Sequence, residues 1–339
     1  MSELPKTKEK YISQIPALQV LINLGYEYLT PEQALAERSG KTGNVLLEGI
    51  LARQLRQINY IQYRNEKYPF SEGNILTAIQ RLKEERFDGL IRTNEKIYDR
   101  LTLGTTLPQS IDGDTKSFPL NYIDWETPEN NVFHVTAEFS VARTASQDTR
   151  RPDIILFVNG IPLVVIENKS PNASTVGGST PVEQAISQMI RNQGVKEIPR
   201  LFTYTQLLLA LAVDEAKYAT TGTPAKFWAI WRESGLNEEV LRELVNCPLP
   251  PEQKALLFRD DFAETRLYFE ELEAKAERQP TEQDRMLLAL CRPKRLLDIA
   301  DRYTLFDGGD KKVARYQQYF CVSKILGRIH KLDNDGARQ

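Results

Sequence analysis

The sequence has few of the residues on which zinc chemistry and nucleophilic triads depend. Its 339 residues include only two histidines, His134 and His330, and three cysteines, Cys247, Cys291 and Cys321. The cysteines are far apart and lack metal-ligand spacing, and two isolated histidines do not support a His-rich zinc site or a catalytic triad. Widely spaced cysteines are typical of free thiols in a reducing compartment. The sequence therefore predicts a cytoplasmic protein.

Long apolar runs, a strong net charge and a phosphate-binding loop are also absent from the sequence. No apolar stretch approaches the ~18 residues of a membrane span, and the polar start MSELPKTKEK does not resemble a signal peptide, so no membrane association is expected. The 44 basic and 46 acidic residues give a formal net charge of −2. Attraction to nucleic acid would therefore have to come from a local patch or a partner. Because no Gly-x-x-x-x-Gly-Lys-Ser/Thr occurs, we expect this chain to hydrolyse no ATP.

The sequence does contain a pronounced apolar hairpin, RPDIILFVNGIPLVVIENK, at residues 151–169. Two apolar runs, 154–158 and 163–166, flank the dipeptide Asn159-Gly160, which is typical of tight turns between strands. Both runs are apolar on both faces, as expected of strands that are covered on each side. The hairpin is therefore predicted to lie in the middle of a sheet.

The ends of this hairpin carry charges. Asp153 precedes the first strand, and Glu167 and Lys169 follow the second. Charges at the ends of buried strands are costly unless they are paired or bind a cation. Asp153, Glu167 and the backbone carbonyl of Asn168 are suitable oxygen ligands for Mg²⁺, and Lys169 is suited to hold or activate a water. Ordinary ion pairs are the alternative interpretation of the same residues.

The register of the hairpin decides whether these groups meet. With a plain two-residue turn, Asp153 would face Ile166, and Glu167 would point to the opposite face of the sheet. If one residue is bulged, Asp153 comes onto the same face as Glu167 and Lys169. We therefore predict a bulge or a three-residue loop at 158–161.

The remainder of the chain predicts a mixed α/β fold with a central sheet flanked by helices, followed by an all-α region. Strand signals are frequent up to about residue 231, whereas helical segments punctuated by proline follow. We place the boundaries at 1–235, 236–310 and 311–339. Thr180-Pro181-Val182-Glu183 predicts a capped helix reaching about Asn192, with Gln184 and Gln188 on its polar face. Glu48 lies beside the apolar stripe of another helix, where a solvated acid is the simpler interpretation.

The hairpin resembles the nuclease core of the restriction subunit of type I restriction-modification enzymes, which carries the Asp…Glu-x-Lys signature of the PD-(D/E)xK nucleases. The resemblance extends over most of residues 40–335. It includes YIDW (122–125), NNVF (130–133), FTYTQL (202–207), FW (227–228) and RLLDIADRYTLFD (295–307). It implies a restriction-endonuclease-like fold in which Asp153, Glu167 and Lys169 are the nuclease residues.

The family's Gln-x-x-x-Tyr element on the following helix is matched only in part. Gln188 matches its glutamine and joins the implied catalytic set, but Asn192 stands where the tyrosine would be. The family also tends to have Asn-Gly after the strand that begins at Leu207, whereas this sequence has Ala212-Val213-Asp214. These departures leave open a catalytically inactive docking or regulatory module with the same fold.

The end of the sequence, Arg315-Tyr316-Gln317-Gln318-Tyr319, resembles the glutamine motif that precedes the ATPase motor of superfamily 2 translocases. The resemblance implies that Gln317 recognises adenine and that the motor would follow residue 339. A helix that packs aromatic residues is the alternative.

Together these resemblances imply a Mg²⁺-dependent endonuclease of double-stranded DNA within a larger enzyme. The larger enzyme would use ATP to translocate DNA and would act with methyltransferase and specificity subunits. Arg143, Arg150, Arg151 and Arg191 are near the site in sequence and are candidate phosphate contacts, or surface residues with no such role. Cleavage of RNA has no support, because no stacking aromatic residues flank the site.

Overall fold

A computed structural model describes residues 13–170, 178–233 and 235–335. The strands in these ranges are β1 (Glu27–Leu29), β2 (Tyr60–Tyr63), β3 (Glu66–Pro69), β4 (Thr105–Ile111), β5 (Asp114–Leu120), β6 (Phe133–Ala137), β7 (Val141–Ala142), β8 (Thr149–Arg150), β9 (Ile154–Val158), β10 (Ile161–Asn168), β11 (Leu207–Leu211), β12 (Ala216–Ala219), β13 (Thr304–Asp307) and β14 (Asp310–Val313). The helices are α1 (Ile15–Asn23), α2 (Pro31–Ala36), α3 (Glu48–Ile58), α4 (Glu72–Lys83), α5 (Leu90–Leu103), α6 (Pro181–Asn192), α7 (Pro199–Phe202), α8 (Glu238–Asn246), α9 (Pro251–Leu257), α10 (Arg266–Lys275), α11 (Glu282–Cys291), α12 (Pro293–Arg302) and α13 (Tyr316–Asp335).

A six-stranded mixed sheet forms the centre of the fold. Its order is β1-β6-β9-β10-β11-β12. The pairs β1–β6 and β10–β11 are parallel, and the other three pairs are antiparallel. The hairpin β9–β10 thus occupies the two middle positions, and the mixed α/β fold expected from the sequence is confirmed.

The two central strands are covered on both faces. Every residue of β9 and β10 is buried, and so is every residue of β11. Helix α6 packs on β10 and β11, α1 packs on β6, and α11 packs on β12. Continuous apolar runs are stable here because neither face of the sheet meets water.

Helix α6 begins where its sequence predicts. The Thr180 hydroxyl accepts a hydrogen bond from the Glu183 N–H, and the Glu183 side chain accepts one from the Thr180 N–H. Pro181 occupies the first turn, where a missing N–H costs nothing. This reciprocal cap fixes the start of the helix and, with it, the direction in which its polar face points.

The C-terminal region is mostly helical and packs against the sheet. It contains α8 to α12, as expected, but it also contains the hairpin β13–β14 at residues 304–313. Its turn, Gly308-Gly309, has φ values of +61° and +85°. Such a two-residue turn suits the twist of a hairpin, so the Gly-Gly pair was a signal for strands within a region predicted to be all-α.

The hairpin β13–β14 is anchored by a buried lysine. Lys311 Nζ donates to Asn94 Oδ1 at 2.7 Å, to the Gln206 side-chain oxygen at 2.5 Å and to the Thr205 carbonyl at 3.2 Å. These contacts join the end of the helical region to α5 and to the loop before β11. The division of the chain at residues 235 and 310 remains a prediction. Within the described ranges, no helix is both long and apolar enough to cross a membrane.

Candidate functional site

The hairpin has the one-residue shift that the site requires, but not where the sequence analysis placed it. Val158 pairs with Ile161 directly across a strict two-residue turn, so the predicted bulge or three-residue loop at 158–161 is wrong. The register shifts instead between Pro162 and Val164, where Leu163 is the extra residue. Beyond this bulge Ile166 pairs with Ile154, which places Glu167 opposite Asp153.

The sequence contains the physical reason for this position of the bulge. Asn159 and Gly160 have φ values of +53° and +82°, the geometry of a two-residue hairpin turn. Asn159 is held there because its Nδ2 donates to the Tyr122 carbonyl at 3.0 Å and its Oδ1 accepts from Val132 N–H at 2.9 Å. Pro162 has no N–H for the ladder, and proline within a central strand is largely confined to bulges. Pro162 was therefore the overlooked signal.

The bulge brings an acid pair and a lysine together at the open end of the hairpin. The Glu167 side chain is fully buried, and its carboxyl is hydrogen-bonded to that of Asp153. Lys169 Nζ lies 3.9 Å from Asp153 Oδ2, and each of these two side chains is 14% exposed. Lys169 Nζ also donates to the Asn168 carbonyl at 3.0 Å. The four residues singled out from the sequence thus lie in one cluster.

Burial dominates the electrostatics of this cluster. It raises the pKa of Asp153 above its ordinary value, because the charged form loses hydration. Three interactions oppose that shift of the Asp153 pKa: the charge of Lys169, a hydrogen bond from the Asn168 N–H at 2.7 Å, and the hydrogen bond with Glu167. A bound cation would favour the ionised carboxylate, as Lys169 already does.

Helix α6 supplies the groups that orient Glu167. Gln188 Nε2 donates to Glu167 Oε2 at 2.7 Å, and Asn192 Nδ2 approaches Glu167 Oε1 at 3.5 Å. Gln188 therefore contacts the Glu167 carboxyl group directly. Asn192, which departs from the family's tyrosine, reaches the same carboxylate. The spacing of Gln188 and Asn192, four residues apart on one helix face, would have revealed this pair.

The opposite face of β10 is held by two other segments. Successive residues of a strand point to opposite faces, so the Asn168 side chain points away from α6. Its Nδ2 donates to Ser13 Oγ at 3.0 Å and to Gln283 Oε1 at 3.0 Å. Ser13 and Gln283 were not singled out from the sequence, since neither is near residue 168 along the chain.

A further acid lies at the entrance of β9. Glu138 follows β6, and its N–H donates to the Asp153 carbonyl at 3.0 Å. Gln14 Nε2 donates both to Glu138 Oε1 at 3.2 Å and to the Asp153 carbonyl at 3.0 Å. Glu138 has a φ of +50°, a left-handed conformation that is uncommon outside glycine and asparagine. Its place directly after β6, like that of Asp153 directly before β9, was the available sequence signal.

The four arginines near the site divide into two groups. Arg143 and Arg150 both pair with Glu197, at 3.1 Å and 2.6 Å, and the hydrogen bond from Arg150 is the main cause of the lowered pKa of Glu197. Both guanidinium groups therefore share one carboxylate as an ion-pair partner. Arg151 and Arg191 are exposed, and Arg151 lines a cleft of about 250 Å³ beside the entrance of β9.

Two other residues considered from the sequence lie in different surroundings. Glu48 forms an ion pair with Lys83 at 2.6 Å and accepts from Asn44 Nδ2 at 2.5 Å, as a structural helix acid would. Gln317 is exposed on α13. The adjacent Gln318 accepts a hydrogen bond from the Arg315 N–H at 2.8 Å, at the start of that helix. A role for Gln317 in adenine recognition remains a prediction.

The donor set at the hairpin suits a hard cation that keeps much of its water. Within the described ranges, no group of three or more His, Cys, Asp and Glu residues could hold a metal. Two carboxylates and a carbonyl fit Mg²⁺, which binds through few protein ligands and retains several waters. Asn192 Oδ1, on the side chain that approaches Glu167, is a buried acceptor that has no hydrogen-bond partner in the structure. Water around a cation would supply donors for acceptors of this kind.

Comparison with known proteins identifies the family of this chain. The family profile described as the type I restriction enzyme R protein N terminus matches residues 6–227. A putative type I restriction enzyme MjaIXP endonuclease subunit of Methanocaldococcus jannaschii is 26% identical over 339 residues, covering 97% of this chain and 28% of the relative. The type I restriction enzyme HindI endonuclease subunit of Haemophilus influenzae is 26% identical over 324 residues, covering 94% of this chain and 26% of the relative.

The chain therefore spans between a quarter and a third of the length of these two relatives. The matched family covers the central sheet from β1 to β12 and the helices packed on it. The hairpin β9–β10 and helix α6 lie inside the matched range. We conclude that this chain belongs to the family of type I restriction enzyme R protein N termini.

Proposed function

We propose that this chain is the nuclease part of a type I restriction R subunit and hydrolyses phosphodiester bonds of double-stranded DNA with Mg²⁺. The observation that carries the proposal is the bulge at Leu163. It places Glu167 opposite Asp153, with Lys169 3.9 Å from the Asp153 carboxylate. Without that one-residue shift, the two acids would lie on opposite faces of the sheet.

Each group in the cluster has a distinct role in this proposal. Asp153, Glu167 and the carbonyl of Asn168 are the ligands, and bound Mg²⁺ would polarise the phosphate and lower the pKa of a water molecule. Lys169 orients the attacking water and offsets the negative charge that develops on the phosphate. Gln188 keeps Glu167 in place through its 2.7 Å hydrogen bond. Burial strengthens these electrostatic interactions, because little water is present to screen them.

The function of the whole protein follows as part of the same proposal. ATP-driven translocation would belong to the part of the R subunit outside this chain, where Gln317 would help to recognise adenine. Methyltransferase and specificity subunits would recognise the target, and DNA would be delivered to this domain in the cytoplasm. The net charge of −2 is consistent with delivery rather than independent capture of DNA.

Plasmid cleavage by the full-length subunit with its partner subunits tests the proposal. Asp153→Ala and Lys169→Ala should abolish Mg²⁺-dependent cutting while DNA-stimulated ATP turnover continues. Lys196→Ala is the matched control, because Lys196 is an exposed lysine outside the cluster. It should cut like the unaltered protein.

The same assay separates the nuclease from an inactive docking or regulatory module. If the acids serve structure alone, the two variants should lose cutting and ATP turnover together as the protein loses its fold. If cutting survives in both variants with normal Mg²⁺ dependence, the assigned residues are not the catalytic ones. Either result would overturn the proposed roles of Asp153 and Lys169.

A further inference from the structure

The exit of β10 is held by a residue from the helical region. Gln283, on α11, accepts from Asn168 Nδ2 at 3.0 Å and from the Ser13 hydroxyl at 2.6 Å. Its own Nε2 donates to the Ser13 carbonyl at 2.9 Å. All three residues are buried, and they come from three segments far apart along the chain. A buried polar network of this kind favours one arrangement of its members, because any other leaves donors or acceptors unpaired.

Gln283 lies in the first turn of α11, and the start of this helix is capped. Thr281 caps α11: its hydroxyl accepts a hydrogen bond from the Asp284 N–H, and the Asp284 carboxylate accepts one from the Thr281 N–H. Asp284 is fully buried and forms an ion pair with Arg278 at 2.5 Å. The Glu282 N–H donates to the Val213 carbonyl at 3.1 Å, just beyond β11. The first turn of α11 is therefore fixed against the sheet and holds Gln283 in place.

Asn168, which Gln283 contacts, lies beside Asp153 and Lys169. The Asn168 N–H donates to Asp153 Oδ2 at 2.7 Å, and the Asn168 carbonyl accepts from Lys169 Nζ at 3.0 Å. Asn168 also directly follows Glu167. The amide contacts of the Asn168 side chain therefore anchor the residue whose own peptide groups make both of these hydrogen bonds.

We infer that Gln283 is a positioning residue for the cation site, and that the helical region thereby forms part of that site. This inference rests on the proposed function and extends it, because it makes cation affinity depend on where α11 lies. Groups that orient metal ligands typically change metal affinity or activity by about 10–100-fold when removed. Loss of the Gln283 amide should weaken cation binding in this range.

Calorimetric titration of the 339-residue chain with Mn²⁺ alone tests the inference. Gln283→Met has a similar length and leaves the Asn168–Ser13 hydrogen bond available. It should raise the Kd for Mn²⁺ by about 10–100-fold. Glu282→Gln is the matched control, since Glu282 is exposed on the same turn and its ion pair with Arg285 is on the surface. Its Kd should change less than about twofold.

A second variant distinguishes positioning from loss of the fold. Ser13→Ala removes the hydroxyl of the same network and should weaken Mn²⁺ binding in the same direction. If the network acts as one unit, the double variant with Gln283→Met should bind little more weakly than Gln283→Met alone. Additive losses, or Mn²⁺ binding unchanged in a folded Gln283→Met chain, would overturn the inference. If Gln283→Met fails to fold by circular dichroism, unchanged binding in folded Ser13→Ala would overturn it.

Asp153→Ala in the same titration separates this inference from the proposed function. Loss of binding in Asp153→Ala with normal binding in Gln283→Met would refute the positioning role alone. No binding by the unaltered chain, or equal binding by Asp153→Ala, would refute both.

Discussion

Replacing Gln188 by alanine tests how much the site depends on the orientation of Glu167. Gln188 Nε2 lies 2.7 Å from Glu167 Oε2, and the carboxylate is fully buried. Asn192, also on α6, lies 3.5 Å from Glu167 and is a weak substitute at that distance. The variant therefore removes a short contact between α6 and this carboxylate.

The expected loss follows from the nature of this hydrogen bond. A hydrogen bond to a charged group contributes about 1.5–3 kcal/mol. At about 1.4 kcal/mol for each factor of ten, this corresponds to a decrease of about 10–100-fold in kcat. Since Gln188 contacts the carboxylate in this structure, KM for DNA should remain close to that of the unaltered protein.

Single-turnover cleavage of supercoiled plasmid by the full-length subunit and its partner subunits measures this effect. Ser187→Ala is the control from the same helix, because Ser187 directly precedes Gln188 and is exposed. It should change kcat less than about threefold. Equal losses in both variants, or a change in KM alone, would refute an orienting role for Gln188.

Three further predictions concern stability. Burial raises the pKa of Asp153, so its ionised form destabilises the fold at neutral pH. Asp153→Asn should raise the thermal midpoint at pH 7 without metal, and the gain should disappear as the pH falls through the raised pKa towards about 4; an equal gain at all pH values would contradict this. Gly160→Ala should destabilise by at least about 2 kcal/mol in urea unfolding, because a Cβ would meet a backbone oxygen at 2.5 Å. Gly113→Ala has the same sign of φ and open space, so a similar loss there would disprove the role of the close contact. Lys311→Met should cost about 2–3 kcal/mol by stranding buried acceptors, whereas Lys312→Met, on the surface, should have an effect near zero; equal losses would refute the anchoring role.

Local sequence patterns were sufficient for the elements that carry the site. The apolar runs around Asn159-Gly160 predicted a central hairpin, and Thr180 with Glu183 predicted the start of α6 at the correct residue. These features depend on burial periodicity and on contacts within a few residues along the chain. The need for a one-residue shift also followed from the strict alternation of side chains along a strand.

The features that escaped prediction are of two kinds. The bulge was placed at the turn because Asn-Gly suits several turn geometries, and the missing N–H of Pro162 was not considered. Ser13 and Gln283 reach Asn168 from distant segments, which a pattern read along the chain does not connect. Glu138 combines both cases. Its position directly after β6 was a local signal that was not used, and its contact with Asp153 depends on the pairing of β6 with β9, which are distant along the chain.

The location of a bound cation tests the central claim most directly. Crystals of the chain soaked in Mn²⁺ should show one anomalous peak within about 2.3 Å of carboxylate oxygens of Asp153 and Glu167 and of the Asn168 carbonyl. In such crystals Lys169 Nζ should have left that carbonyl for a metal-bound water. A fully soaked crystal without this peak, in which the two carboxyls remain hydrogen-bonded to each other, would contradict the account.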